Sequence, residues 1–361
     1  MTRVKVSFLT TFICTVLLAL SQAASAQISV NDTALMQARP AKLLSAYGLF
    51  SSLRGQTPSQ RVHPYDLQQA LFSDYAVKYR FVYLPFGTRI QYHATEAFDF
   101  PIGSVLVKTF AYPADFRKPQ ENIRLLETRL LIRQEKGWNA WAYVWNDAQT
   151  DAVLKVAGKT LPVSWVDAGG QPQNIQYVVP NKNQCKGCHS LNKTITPIGP
   201  KARNLNRSYT YAAGAKNQLL YWSENMALDN APTLANAPSV FAFSDTVASV
   251  EKRTRAYLDI NCAHCHRAEG PASNSGLFLT YGEDVPVKWG LLKRPVAAGR
   301  GSGGFLFDID PGHADKSILL YRILSTDPGI MMPEVGRSVV HTEGAALIRE
   351  WINSLEKIKE K

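Results

Sequence analysis

The sequence predicts an α+β fold, in which a β-rich N-terminal domain precedes a mainly α-helical remainder. Two patterns support this prediction. Short runs of β-branched and aromatic residues, separated by turn residues, recur between about residues 60 and 180. Apolar residues then recur at helical spacing in two later segments, around residues 250–258 and 342–355. Hydrophobic residues make up 45% of the 361-residue chain, which is enough to bury a sizeable core and excludes wholesale disorder.

The first elements can be justified in chain order. A short helix is predicted over residues 34–47, followed by a polar, turn-rich link at residues 55–59. Strands are predicted at residues 80–84, 103–110, 127–132 and 141–145, with hairpin turns at residues 135–137 and 167–170. This region also contains Trp138, Trp141, Trp145 and Trp165. We interpret these tryptophans as packing residues of the sheet rather than as a ligand-binding surface.

The N-terminus has the layout of a secretory signal peptide. Arg3 and Lys5 give it a charged start, residues 8–20 form a short apolar run, and residues 24–26 offer a small-residue cleavage site. A transmembrane helix needs about 20 apolar residues, so an uncleaved membrane anchor is the weaker alternative. We expect cleavage after residue 26, export to the periplasm, and a mature chain without a transmembrane anchor.

Two short motifs carry the chemistry. The segments at residues 185–189 (Cys-Lys-Gly-Cys-His) and 262–266 (Cys-Ala-His-Cys-His) both have the pattern C-x-x-C-H, the attachment sequence of c-type haem. Two thiols one helical turn apart can bond to the two vinyl groups on one porphyrin edge, and the adjacent histidine then faces the iron. We predict two covalently attached haem c groups, held by Cys185, Cys188, His189, Cys262, Cys265 and His266. These are all the cysteines of the predicted mature chain.

Two other uses of these cysteines can be weighed against haem. A zinc ribbon places its C-x-x-C pairs about 15–20 residues apart, whereas Cys188 and Cys262 are much farther apart, and zinc would leave both motif histidines without a role. A disulfide within each pair would be an unusual staple for a chain of this size. Covalent haem explains more of the pattern than either alternative.

A basic stretch surrounds the first motif. No acidic residue occurs between Ala168 and Ser223, and the same stretch contains Lys182, Lys186, Lys193, Lys201, Arg203, Arg207 and Lys216. It is either a solvated face, a source of counter-charge for haem propionates, or a docking surface. The chain has a formal net charge of +11, but nucleic acid is not an expected partner of an exported haem protein. We expect a redox partner protein with an acidic docking face.

The segment from about residue 246 to 361 resembles a class I c-type cytochrome domain. An apolar helical pattern leads directly into Cys262, and a second apolar stripe follows Thr342. In that family a methionine, usually next to a proline, lies well after the attachment motif and binds the iron. The resemblance implies that Met332, which precedes Pro333, completes the second iron in preference to Met331. The alternative is that both methionines fill the core.

Roughly residues 40–361 also resemble a proteobacterial family of exported di-haem c-type cytochromes with a β-rich N-terminal region. The matching segments are residues 65–75, 98–110, 126–150, 179–206 and 255–275. This resemblance implies haem binding and electron transfer. A β-domain that runs directly into C-x-x-C-H is similar, too, to the β-fold cytochromes of hydroxylamine oxidation, which carry a lysine–haem crosslink. No motif singles out a lysine such as Lys108, and the crosslink is not assigned.

The motifs and resemblances together predict five segments. They are a signal peptide (1–26), a helix and link (27–59), a β-rich domain (60–180), a first haem c segment (181–245) and a class I cytochrome c-like domain with the second haem (246–361). The expected function is that of a periplasmic di-haem c-type cytochrome that transfers electrons, without a catalytic residue. The alternative is a di-haem redox enzyme, either a peroxidase or an oxidase of a small nitrogen compound, with the first haem as reactive centre.

The sixth ligand of the first iron stays open at this stage. His63, His93 and Met226 are the candidates from the chain near the first motif, and a weak or absent ligand is the preferred interpretation. His313 and His341, like the first two histidines, are expected to be ordinary surface or hydrogen-bonded residues.

Overall fold

The structure is a computed structural model that describes residues 29–355, so the predicted signal peptide lies outside the described residues. The helices are α1 (Asp32–Met36), α2 (Lys182–His189), α3 (Ala202–Leu205), α4 (Gln218–Asn225), α5 (Val250–Asn261), α6 (Ile318–Leu324) and α7 (Thr342–Ser354). The strands are β1 (Phe50–Ser52), β2 (Thr57–Pro58), β3 (Val62–Tyr65), β4 (Val77–Tyr83), β5 (Ile90–Gln91), β6 (Val105–Tyr112), β7 (Arg124–Gln134), β8 (Gly137–Trp145), β9 (Ala152–Leu154), β10 (Lys159–Val166), β11 (Pro172–Val179), β12 (Ser190–Leu191), β13 (Thr194–Ile195), β14 (Ser208–Tyr211), β15 (Gly214–Asn217) and β16 (Leu228–Asp229).

A six-stranded antiparallel sheet is the central element. Its strand order is β3-β4-β6-β7-β8-β9, and its middle strands overlap the four strand segments that the sequence predicts. Strands β7 and β8 are joined by a two-residue turn, at which Gly137 has a φ of +121°, a value that other residues rarely adopt. Strands β10 and β11 form a separate hairpin around the second predicted turn. Both turn predictions are confirmed.

One face of the sheet is covered by the N-terminal segment. Side chains that alternate along the strands, such as Val105 and Val107, pack with Tyr47, Leu49 and α1 into one apolar cluster. The hydroxyl groups of Tyr47 and Tyr143 are 2.9 Å apart inside this cluster. The N-terminal segment therefore covers much of this face.

The opposite face of the sheet is divided. At one end Leu106 belongs to a cluster with Trp222 of α4 and Ile260 of α5. At the other end Phe110 packs against the β10–β11 hairpin. Lys108 lies between these two residues on the same face, since side chains two positions apart on a strand point the same way. The charged gap between the two apolar clusters borders the candidate site.

The C-terminal helices form their own cluster. Tyr257 and Leu258 of α5 pack with Ile348, Trp351 and Ile352 of α7, and α6 contributes to the same core. The spacing of these residues is the apolar helical pattern seen in the sequence. Helix α5 is also tied to α3 through a buried ion pair between Arg203 and Asp259, with 2.8 Å between Nη2 and Oδ2.

The prediction of a mainly α-helical, cytochrome c-like remainder is wrong. The protein is β-rich, with 27% strand against 23% helix and a six-stranded sheet. Between α5 and α6 the described chain makes only short 3₁₀ turns. Glycine and proline recur in this stretch and disfavour helix, whereas the helical patterns before Cys262 and after Thr342 cover only two elements.

The predicted helix over residues 34–47 is also shorter than expected. Helix α1 ends at Met36, and a 3₁₀ turn at Leu44–Tyr47 follows after a break. Pro40 explains the break, because proline removes a helical hydrogen bond and clashes with the preceding turn. Within residues 29–355, none of the helices has the length and apolar character that crossing a membrane requires.

Candidate haem-binding cavity

A cavity that is partly open to solvent lies between the divided face of the sheet and the C-terminal helices. Residues from both C-x-x-C-H motifs and from the loop between α6 and α7 that contains Met331 and Met332 (the methionine loop) line it, namely Cys185, Cys188, His189, Cys262, His264 and Met332. Cys265 and His266 are not among the residues that line it. The fold thus brings together most of the predicted site.

The first motif lies at the C-terminal end of helix α2. The helix starts with a capping box, in which the Asn181 side chain accepts from the Gln184 amide and the Gln184 side chain accepts from the Asn181 amide, both at 2.9 Å. Cys185 and Cys188 are three residues apart and share one face of the helix. Both thiols line the cavity.

The ring of His189 is held by the segment that follows it. The β12–β13 hairpin folds back, so that the Thr196 carbonyl lies 2.8 Å from Nδ1 of His189. A carbonyl only accepts, so Nδ1 carries the proton and donates, which leaves Nε2 as the nitrogen available to a metal. Histidine ligands of metals are typically oriented by such a bond.

The second motif follows helix α5 without interruption. The amides of Cys265 and His266 donate to the Cys262 carbonyl at 3.1 and 2.9 Å, which makes the motif a helical turn. Ser275 Oγ lies 3.4 Å from Nδ1 of His266. As in the first motif, the next loop contacts Nδ1 of the terminal histidine and leaves Nε2 available.

Burial sets the protonation of these groups. It lowers the pKa of His189 and of His266 to about 4 and that of His264 to about 3, so the three imidazoles are neutral at pH 7. A neutral imidazole is the form that binds a metal. Burial raises the pKa of Cys262 and of Cys265 to about 12, which keeps these thiols protonated.

The guanidinium group of Arg337 bonds to the backbone of the methionine loop. Arg337 donates to the Met332 carbonyl at 2.9 Å and to the Ser325 carbonyl at 2.7 Å, and the Met332 amide donates to the Arg322 carbonyl at 3.0 Å. Met332 is half-buried and lines the cavity, whereas Met331 is buried and does not. These placements support Met332 over Met331 as a candidate ligand.

The sequence analysis missed a row of cations from the sheet. Strand register places Arg80, Lys108 and Arg129 side by side on three neighbouring strands, and all three line the cavity. Arg80 pairs with Asp66 and Arg129 with Glu127, while the described residues give Lys108 no carboxylate partner. Burial, with Arg80 next in importance, lowers the pKa of Lys108 well below its ordinary value.

A signal for this row exists in the sequence. Residues 105–112 are apolar except for Lys108 and Thr109, and a lysine inside an otherwise buried strand is unusual.

Trp141 is a second residue with a role beyond packing, since it borders the cavity and lies 4.1 Å beneath the amino group of Lys182.

The basic stretch around the first motif divides into two groups. Lys201 and Arg203 are buried and face Glu96 and Asp259, and Arg207 and Lys216 also pair with carboxylates. Lys182, Lys186 and Lys193 remain exposed. We call these three residues the exposed lysine cluster, and only they fit a docking role.

The other candidates for the first iron do not border the cavity. Met226 is buried in the cluster around Trp222, and Nδ1 of His63 lies 2.9 Å from the Tyr221 hydroxyl. Nδ1 of His93 accepts the Glu96 amide at 2.9 Å. These three residues are therefore unsuited to the role in this fold.

The residues present fit two haem groups on several counts. The four motif cysteines are free thiols, and His189 and His266 each keep one ring nitrogen available. Nδ1 of His264 is buried beside the cavity without a hydrogen-bond partner among residues 29–355. No three His, Cys, Asp or Glu side chains of the described chain are grouped to hold a metal ion. A haem iron takes at most two protein ligands, so that criterion does not apply to it.

Comparisons of the chain with models of protein families, with curated proteins and with solved structures find no match.

Proposed function

We propose that this protein is an exported di-haem c-type cytochrome of the periplasm that transfers electrons to or from a protein partner. The observation that carries this proposal is the convergence of two C-x-x-C-H motifs on one cavity, although the motifs are far apart in the chain. Three thiols and two histidines of the motifs line it.

Different residues of the chain would attach the haem groups and bind the irons. Cys185, Cys188, Cys262 and Cys265 would form the thioether bonds, His189 and His266 would bind the irons on one side, and Met332 would bind the second iron on the other. Haem c supplies a reversible one-electron iron couple when bound. The cation row of Arg80, Lys108 and Arg129 lines the cavity and offers counter-charge to carboxylates, which suits the propionates of a haem.

The exposed lysine cluster supports an acidic partner. Lys186 belongs to the first motif itself, and Lys182 and Lys193 lie close to it in the chain. A partner with a carboxylate-rich face would be steered toward the edge of the first haem by these charges. Steering of this kind raises association rates and weakens with salt.

The test is to compare electron exchange with turnover. The exported protein is produced in a host that attaches haem to C-x-x-C-H motifs and is then reduced with dithionite. We expect rapid one-electron oxidation by ferricyanide and no sustained turnover of hydrogen peroxide or hydroxylamine. A purified protein without covalent haem would overturn the proposal.

One observation favours the enzymatic alternative, with the first haem as reactive centre. Lys108 lines the cavity beside the first motif and has no carboxylate partner among the described residues, so it could hold or donate a proton there. Sustained turnover of hydrogen peroxide or hydroxylamine, lost in Lys108→Met but kept in the matched exposed variant Lys136→Met, would establish this alternative.

A further inference from the structure

We propose that His264 is the sixth ligand of the iron at the first motif, so that two histidines, His189 and His264, bind this iron. The proposal rests on the proposed function, because it requires haem at Cys185 and Cys188. It assigns a role to a side chain that the C-x-x-C-H pattern itself leaves free.

The local backbone directs His264 away from its own motif. Residues 262–266 form a helical turn, in which successive side chains are rotated by about 100°. Cys262 and His266 are each two residues from His264 and so lie on roughly the opposite side of the turn. His264 borders the cavity that Cys185, Cys188 and His189 also line. It is therefore placed to reach a haem attached to the first motif.

The hydrogen bonding of His264 sets it apart from the other histidines. In the described chain, Nδ1 lies within 3.4 Å of a hydrogen-bonding group in His63, His93, His189, His266, His313 and His341. Nδ1 of His264 is buried and has no such partner. A buried polar atom without a partner is unfavourable, so the fold keeps this imidazole for a ligand that the protein chain does not supply.

The other imidazole at the cavity is already engaged. His341 stacks on Phe72 with 4.2 Å between ring centroids, and its Nδ1 lies 3.0 Å from the Tyr257 hydroxyl. Its contacts fix it to α5 and the N-terminal region. His264 is the cavity histidine without such bonds.

The experiment uses the exported holoprotein and three variants, His264→Ala, His264→Met and the exposed control His93→Ala. Carbon monoxide is added to the fully reduced proteins, and spin states are measured by EPR on the oxidised proteins. For the wild type and the control we expect low-spin irons and no Soret shift. In His264→Ala about half of the Soret intensity should shift with carbon monoxide, and one iron should become high-spin.

His264→Met provides the second criterion and covers the case in which the alanine variant does not accumulate. It should keep the first iron low-spin and gain a second methionine-to-iron charge-transfer band. The inference is overturned if the wild type already binds carbon monoxide at half of its Soret intensity, or if both His264 variants keep the wild-type spectra. Missing haem at Cys185 and Cys188 in the wild type would instead refute the proposed function.

Discussion

The two C-x-x-C-H motifs share a pattern but lie in different surroundings. The first is carried by the short, capped helix α2, beside a sheet face with Arg80, Lys108 and Arg129. The second continues helix α5, which packs on α7 in an apolar core, and the Arg337-bound methionine loop lies nearby. The motif determines how haem would be attached, whereas the fold determines the charge and the ligands around each iron.

Under the proposed function, this difference gives the two irons different reduction potentials. A soft thioether ligand raises the potential of an iron that it shares with histidine. The second iron, with Met332, should therefore have the higher potential, and the first iron, with two histidines, the lower one. Electrons would pass from the first motif to the second within one cavity.

The largest effect should come from removing the thiols of one motif. Cys185→Ala with Cys188→Ala should eliminate one haem from the denatured chain, and Cys262→Ala with Cys265→Ala the other, because each thioether pair belongs to one haem. Haem per chain is measured by the pyridine haemochrome method on denatured protein. A pair of substitutions that removes both haems, or neither, would show that the motifs are not independent attachment sites.

The second prediction concerns the contribution of the buried ion pair on α5 to the free energy of unfolding. Asp259 on α5 is buried and pairs with Arg203. Asp259→Asn should lower the free energy of unfolding by about 3–5 kcal/mol, since it leaves a buried guanidinium without its partner. Glu121→Gln, in the exposed pair with Lys118, should cost about 0–1 kcal/mol. Urea unfolding of both variants measures the difference, and equal midpoints would refute the role of the buried pair.

The same ion pair predicts a pH dependence. Burial alone would raise the pKa of Asp259, but the charges of Lys201 and Arg203 outweigh it and lower this pKa. A lowered folded-state pKa contributes stability above the unfolded value, about 3.9, which is lost as the pH falls through the folded-state pKa. Wild-type stability should therefore fall more steeply below pH 4 than that of Asp259→Asn. Parallel curves in acid unfolding would contradict this assignment.

The third prediction concerns the methionine loop. Met332→Ala should abolish the methionine-to-iron charge-transfer band and lower the potential of the second iron. Met331→Ala should keep the band and instead destabilise the protein by about 2–5 kcal/mol, because Met331 is buried. Absorption spectra and potentiometric titration distinguish the two. A band lost only in Met331→Ala would reassign the ligand.

The smallest effect is expected at the exposed lysine cluster. Lys186→Glu should slow oxidation by the anion ferricyanide a few-fold at low ionic strength and leave the spectra unchanged, because steering by surface charge is local. The control Lys136→Glu, at the β7–β8 turn, should alter this rate less. Stopped-flow rates at several salt concentrations test the difference. Equal rates for both variants would remove the docking role.

Local pattern predicted the strands well, whereas haem attachment at the two C-x-x-C-H motifs stays a prediction. The alternating and β-branched residues of β4, β6, β7 and β8 are visible in the sequence, and so is the spacing of C-x-x-C-H. The helix over residues 34–47 and the mainly helical remainder were mispredicted, because Pro40 and the glycine- and proline-rich loops outweigh the apolar spacing.

Contacts between distant parts of the chain could not be predicted in the same way. Arg80, Lys108 and Arg129 become neighbours only through the register of three strands. His264 gains its position from the approach of the second motif to the first, and nothing in C-x-x-C-H distinguishes its third residue. The site therefore depends on tertiary packing, which the spacing of residues along the sequence does not reveal.

The most direct test of the account is the haem content of the exported wild-type chain. The pyridine haemochrome of the denatured protein, divided by protein concentration and checked against the mass of the intact chain, gives the number of covalently bound haems. The account predicts two haems per chain. One haem per chain would contradict the proposal that two irons share the cavity. No covalent haem would contradict the proposed function as a whole.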